Sequence, residues 1–131
     1  MWRGRTPPGS SVSQASFGER SEIRFIGGVY DYEALCELRT AAAVFFHGHS
    51  VGGTNPSLLE GMASGAVIAA HQNPFNSSIL GNDAQYFSSA DEVAQIINSP
   101  ELARHAAAAS NLVKIRDVFN WNTVTDQYEV L

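Results

Sequence analysis

Val44-Phe45-Phe46-His47-Gly48-His49-Ser50-Val51-Gly52-Gly53-Thr54-Asn55-Pro56-Ser57-Leu58-Leu59-Glu60-Gly61-Met62-Ala63-Ser64-Gly65-Ala66-Val67-Ile68-Ala69-Ala70 decides the fold. Val44 to His47 is apolar at consecutive positions, as a strand buried on both faces should be. Gly48 to Asn55 is a polar, glycine-bearing loop. Pro56 to Ser64 predicts a short helix, because proline is tolerated in the first turn, where an N–H has no intrahelical partner. Gly65 ends that helix, and Ala66 to Ala70 predicts the next strand. Strand, helix and strand in this order make a parallel crossover unit.

The alternation continues outward in both directions. Ile23 to Ile26 reads as a short strand stopped by Gly27-Gly28. Tyr32 to Ala43 follows as a helix with Leu35, Leu38 and Ala42 on its apolar stripe and Asp31 as a candidate N-cap. His71 to Asp83 predicts a loop with a helical turn at Phe75 to Leu80, and Gln85-Tyr86-Phe87 a brief strand. Ala90 to Asn98 predicts a helix capped by Ser89 or Asp91. Pro100 to Phe119 predicts a longer one, with Leu102, Ala106, Ala109, Leu112 and Val113 on its apolar stripe. A last helix runs from about Asn122 to Leu131. The fold class is α/β, a partial Rossmann-like parallel sheet with helices on both faces, and ligands are expected beyond the carboxyl ends of its strands.

Length and composition set the frame. The 131 residues suit one domain; they are 44% hydrophobic and 16% charged, a globular balance. Residues 1–22, with Pro7-Pro8-Gly9-Ser10-Ser11 and no hydrophobic period, read as a flexible polar tail, and 23–131 as the domain. The net charge is −5 and Lys114 is the single lysine, which argues against a nucleic-acid-binding surface. The single cysteine, Cys36, excludes an intramolecular disulfide and a Cys-based zinc cluster, and suits a reducing compartment. With no span-length apolar run and no signal-peptide stretch, a cytoplasmic location is expected.

Two loops leave strand ends and enter helices: Gly27 to Asp31, and Gly48 to Asn55. In the second, Gly52-Gly53 would let the backbone come close to a ligand, and the helix opening at Pro56 would offer free N–H groups and a positive dipole end to an anion, with Thr54 and Ser57 adding hydroxyls. An ordinary capped loop is the alternative, since Ser57-x-x-Glu60 also matches a capping box. Glu60, taken as a half-buried first-turn carboxylate, could accept two hydrogen bonds from the vicinal diol of a ribose; a solvated or capping glutamate is the plainer reading. His47 and His49 lack a third ligand for a metal, and loop hydrogen bonding is expected of them. Phe75 and Asn76 face either a ligand or the protein interior, and Asp83 and Asp91 read as caps.

The strand Val44 to His47, the loop, the run Gly53 to Gly65 and the strand Ala66 to Ala69 resemble the donor half of retaining-type GT-B glycosyltransferases, nearest the GT4-like (glycosyl transferases group 1) family with its E-x7-E signature. The stretch His47 to Glu60 is most similar to bacterial rhamnosyltransferase-like proteins of surface polysaccharide assembly. The resemblance runs from Ile23 to Leu131 and takes in Phe25-Ile26-Gly27, the helix Glu33 to Ala43 and Phe119-Asn120-Trp121-Asn122.

The resemblance implies that Glu60 is the second glutamate of the signature and holds the ribose hydroxyls of a nucleotide-sugar. Gly53, Thr54 and Asn55 would approach the phosphates and sugar, and Gly27, Val29 and Tyr30 would line the base, with Ser57 nearby. Gly52 stands where the family carries its first glutamate, and His49 is the nearest group to compensate. The implied reaction moves a hexosyl or deoxyhexosyl group from the nucleotide-sugar, as substrate rather than cofactor, to a glycan or lipid-linked acceptor held by a separate N-terminal domain. No metal is implied, and no catalytic residue is assigned. The chain itself is expected to be a C-terminal portion of such an enzyme, inactive alone and prone to self-association. The full enzyme would work in the cytoplasm at the inner face of the membrane. A non-catalytic interaction module and an unrelated nucleotide- or phosphate-binding α/β domain are the alternatives.

Overall fold

The structure is a computed structural model that describes residues 16–17, 19–98 and 102–129, the side chains of 102–106 and 127–129 excepted. The chain divides into two compact units, Met1–Asp31 and Tyr32–Leu131. The flexible tail expected over 1–22 lies mostly outside the described residues, as do Pro100 and Leu131 and the side chains of Leu102, His105, Ala106 and Tyr128.

In the first unit the described backbone runs through turns, with Arg20 N–H donating to the Phe17 carbonyl and Ile23 N–H to the Arg20 carbonyl, both at 3.1 Å. The strand expected at Ile23 to Ile26 is not formed: that stretch has no regular structure, and Ile23, Phe25 and Ile26 are exposed. β propensity in four residues does not make a strand without a ladder partner for the backbone groups.

The second unit holds the alternating elements: α1 (Tyr32–Ala41), β1 (Phe45–His47), α2 (Pro56–Ala63), β2 (Ile68–His71), α3 (Pro74–Leu80), β3 (Gln85–Phe87), α4 (Ala90–Ile97), α5 (Leu102–Asp117) and α6 (Trp121–Glu129). The three strands form a parallel sheet in the order β1-β2-β3, with Phe45 opposite Ile68 and Ala70 opposite Tyr86. This is the α/β class expected, a three-stranded parallel sheet with flanking helices. Strand order follows chain order, so these strands contain no topological switch point, the usual crevice of open α/β sheets. No helix among the described residues is long and apolar enough to cross a membrane.

The core gathers Leu58 and Met62 of α2, Ile68 and Ala70 of β2, and Ile79 and Leu80 of α3. Leu58 and Met62 stand one turn apart on the same face and are fully buried, each worth about 1.5–3 kcal/mol in apolar transfer. Gly61 lets α2 lie close to the sheet, since a Cβ there would sit 2.9 Å from Phe45 Cδ1. Asn55, not Ser57, is the N-cap of α2: its side chain accepts from Ser57 N–H at 2.9 Å, and Pro56 takes the first helical position. On α4 the cap is Ser89, in a full capping box with Glu92.

Two apolar stripes are corrected. On α1 the buried residue is Arg39, while Leu38 of the expected stripe is exposed. On α5 the inward face carries Ala108 and Asn111, with Ile115 against the core, and Leu112 and Val113 point outward.

Candidate functional site

Beyond the carboxyl end of β1 lies a cleft of about 510 Å³, lined by Phe45 to Val51 and by Ser57. Alternation along the strand and its extension puts Phe45, His47 and His49 on one side, where their rings form a column. Phe45 and His47 are 6.5 Å apart between centroids, and His47 and His49 are 4.8 Å apart at an interplanar angle of 19°. His47 is buried, and its Nε2 has no hydrogen-bond partner among the described residues. Burial, with the neighbouring His49 adding to it, holds its pKa below the ordinary histidine value.

The loop beyond is anchored from α3. Asn73 caps that helix through its side-chain oxygen, which accepts from Asn76 N–H at 2.9 Å, leaving its amide N–H groups free to point at the strand ends. Both Asn73 and Asn76 donate to the His49 carbonyl, at 3.0 and 3.1 Å, and to the His71 carbonyl, at 3.1 and 2.8 Å. Asn76 thus serves the protein's own backbone, while Phe75 beside it is half exposed. Gly52 has φ +111°, a conformation reserved in practice for glycine. Gly53 and Thr54 are exposed.

The free donors expected at the start of α2 are taken. Pro56 has no N–H, Ser57 N–H goes to the Asn55 side chain, and Leu58 and Leu59 N–H both donate to the Asn55 carbonyl, at 3.0 and 3.2 Å. An anion here would meet the helix dipole and the Ser57 hydroxyl but not unpaired first-turn amides.

Glu60 is the fifth residue of α2, past the first turn, and lies outside the cleft lining. Dipole stabilisation fades by this position. A cation replaces it: Arg39 Nη2 donates to Glu60 Oε2 at 2.8 Å. Arg39 is 7% exposed, with its guanidinium 5.7 Å from the Phe45 ring centroid and its Nε and Nη1 without partners among the described residues. The Glu60 side chain is 43% exposed, and Oε1 takes no hydrogen bond among the described residues. The arrangement can offer a fixed carboxylate oxygen to a hydroxylated ligand.

Of the residues singled out in the sequence, His49 and Ser57 meet in the cleft, Asn55 caps α2, and Glu60 pairs with α1. Gly27, Val29 and Tyr30 belong to the first unit, where Gly27 has φ +73° and Tyr30 is almost wholly exposed. Sequence reasoning missed Arg39 and Asn73. An Asn-Pro pair at a strand end signals a cap and would have flagged Asn73; nothing in a single sequence marks Arg39 as buried. Among the described residues no three His, Cys, Asp or Glu side chains come together as a metal site. No family model, curated protein or solved structure matches this chain.

Proposed function

We propose that this chain is the donor-side portion of a GT-B glycosyltransferase of the GT4-like kind. The full enzyme moves a hexosyl or deoxyhexosyl group from a nucleotide-sugar to a glycan or lipid-linked acceptor in bacterial surface polysaccharide synthesis, at the cytoplasmic face of the membrane. The observation that carries the reading is Glu60: a half-exposed carboxylate, one oxygen pinned by a buried arginine, on the helix entered from the glycine loop after β1. A carboxylate oriented in advance accepts from a ribose diol without losing side-chain freedom on binding. Each charge-assisted bond is worth about 1.5–3 kcal/mol. The loop backbone from Gly52 to Thr54 would approach the sugar and phosphates, and His49 and Ser57 supply ring and hydroxyl contacts in the cleft. Transfer itself demands stabilisation of the leaving diphosphate and placement of the acceptor hydroxyl; this chain's part is to bind and orient the donor.

Calorimetry with a panel of nucleoside diphosphate sugars tests the reading on the unmodified chain, Glu60→Gln and Glu60→Ala. Glu60→Gln keeps an oxygen acceptor for both Arg39 and the diol, so affinity should fall in the order unmodified, Gln, Ala. Equal affinity for all three removes Glu60 from the site, and no binding to any nucleotide-sugar removes the reading.

A further inference from the structure

The loop from Gly48 to Asn55 is tied down through His49 in two ways. Its carbonyl accepts from the side-chain amides of Asn73 and Asn76, which also hold the His71 carbonyl, so the ends of β1 and β2 are clasped together. Its ring lies flat on that of His47, which is 3% exposed and whose Nε2 has no partner among the described residues. A third imidazole stands beside the clasp, with His71 Nδ1 3.4 Å from Asn73 Nδ2.

A proton on His47 would be a buried cation without a counter-ion among the described residues. Of the elements packed against β1, α1 and α2 bring Arg39 and Glu60, which are paired with each other beside Phe45. The neighbouring strand β2 brings His71, whose ring stands against Phe87 and Asn73. The α3 sequence, Pro74 to Leu80, contains no titratable side chain. The neighbouring His49 ring adds to burial in opposing protonation of His47.

We propose that the His47–His49 stack and the Asn73–Asn76 clasp form a proton-operated latch on the loop from Gly48 to Asn55, closed while His47 is neutral and released when its ring takes up a proton from solvent. In the closed state the imidazolium is desolvated and faces His49; once the loop lifts, water reaches the ring and the repulsion is relieved. The sign follows from burial, which lowers the closed-state pKa below that of the exposed ring. The open state therefore binds more protons, and closure is fully favoured above about pH 6.5 and weakens as pH falls from there to the closed-state value. Over that window the opening constant rises by up to about ten-fold per pH unit, the limit for one proton. The latch is independent of which ligand the cleft takes.

The test is NMR on the full chain from pH 7.5 to 5.0, following the His47 and His71 ring protons and the side-chain amide exchange of Asn76, each rate divided by its intrinsic value. Asn76 protection should fall several-fold, with a midpoint that follows the His47 titration. His47→Phe, which keeps a flat ring but no proton site, should hold Asn76 protection constant across the range. Should His47→Phe fail to fold, the two midpoints in the unmodified chain decide alone. Protection that is flat with pH, that follows His71 instead, or that stays pH-dependent in His47→Phe overturns the latch.

Discussion

Arg39 on α1 donates to Glu60 on α2 at 2.8 Å, and the two partners sit in unequal surroundings, the arginine side chain 8% exposed and the glutamate 43%. The cation depends on the pair far more than the anion does, because water can replace Arg39 for Glu60 but not the reverse. Among the described residues Arg39 Nε and Nη1 have no partners, a desolvation cost that the single bond and the Phe45 ring only partly offset.

The two halves of the pair should therefore respond differently to truncation. Arg39→Met replaces a poorly satisfied guanidinium by an apolar chain of similar length and should change stability by less than about 1 kcal/mol. Glu60→Ala strands a buried cation and should cost about 2 kcal/mol, below the usual loss for a fully buried pair because water reaches this one. Urea denaturation of both variants measures the difference, and equal losses would contradict the asymmetry.

Gly61 sets the distance between α2 and β1. A methyl group there would meet Phe45 Cδ1 and Cε1 at 2.9 Å, so Gly61→Ala should destabilise by about 1–3 kcal/mol despite its gain in helix propensity. Adding Phe45→Leu should recover part of the loss, and strictly additive costs in the double variant would show that the ring is not the obstacle.

Asn111 is fully buried on α5, and its Nδ2 donates to the Asp83 carbonyl at 2.7 Å. Lys114, one turn on, donates to the Leu80 carbonyl at 2.5 Å and pairs with the Asp83 carboxylate at 2.7 Å. Together they hold the turn between α3 and β3. Asn111→Ala should cost about 2–3 kcal/mol through the unpaired carbonyl and the small cavity, and Lys114→Met, at a half-exposed site, about 1 kcal/mol. Thermal unfolding of the two variants ranks them, and the reverse order would refute this account.

Ser89→Ala breaks the capping box of α4 and should lower stability by about 1 kcal/mol. Asp91→Ala, which removes the other cap considered in the sequence, should cost only the few tenths of a kcal/mol due to a first-turn acid. A chemical melt of each checks the pair; a larger effect at Asp91 would move the cap.

The elements were legible wherever local chemistry decides them. Pro56, Ser89 to Glu92 and Gly65 act within one turn of chain; β1 and β3 fall where strands were expected, and β2 runs one residue past its expected end, to His71. The faces of the helices were less legible. On α1 the spacing of Leu35, Leu38 and Ala42 pointed one way, yet Arg39 is the residue turned inward, because an acceptor twenty-one positions away receives it. On α5 the alanines make any face passable as apolar, and Asn111 is buried because a backbone carbonyl of another turn needs a donor. Ile23 to Ile26 shows the same limit for strands: composition alone does not supply a ladder.

The sequence by itself determined the α/β class, the order of strands and helices from Tyr32 onward, and a glycine loop between the first strand of the sheet and its helix. Those follow from period, caps and breakers, which act over a few residues. Tertiary structure decided where the loop's donors and acceptors go. The α2 amides close onto Asn55, Asn73 and Asn76 clasp the His49 and His71 carbonyls, and Arg39 takes one oxygen of Glu60. Buried polar groups must find partners, and which partner stands within 3 Å depends on how α1, α3 and the strand ends pack, a relation that no local spacing encodes.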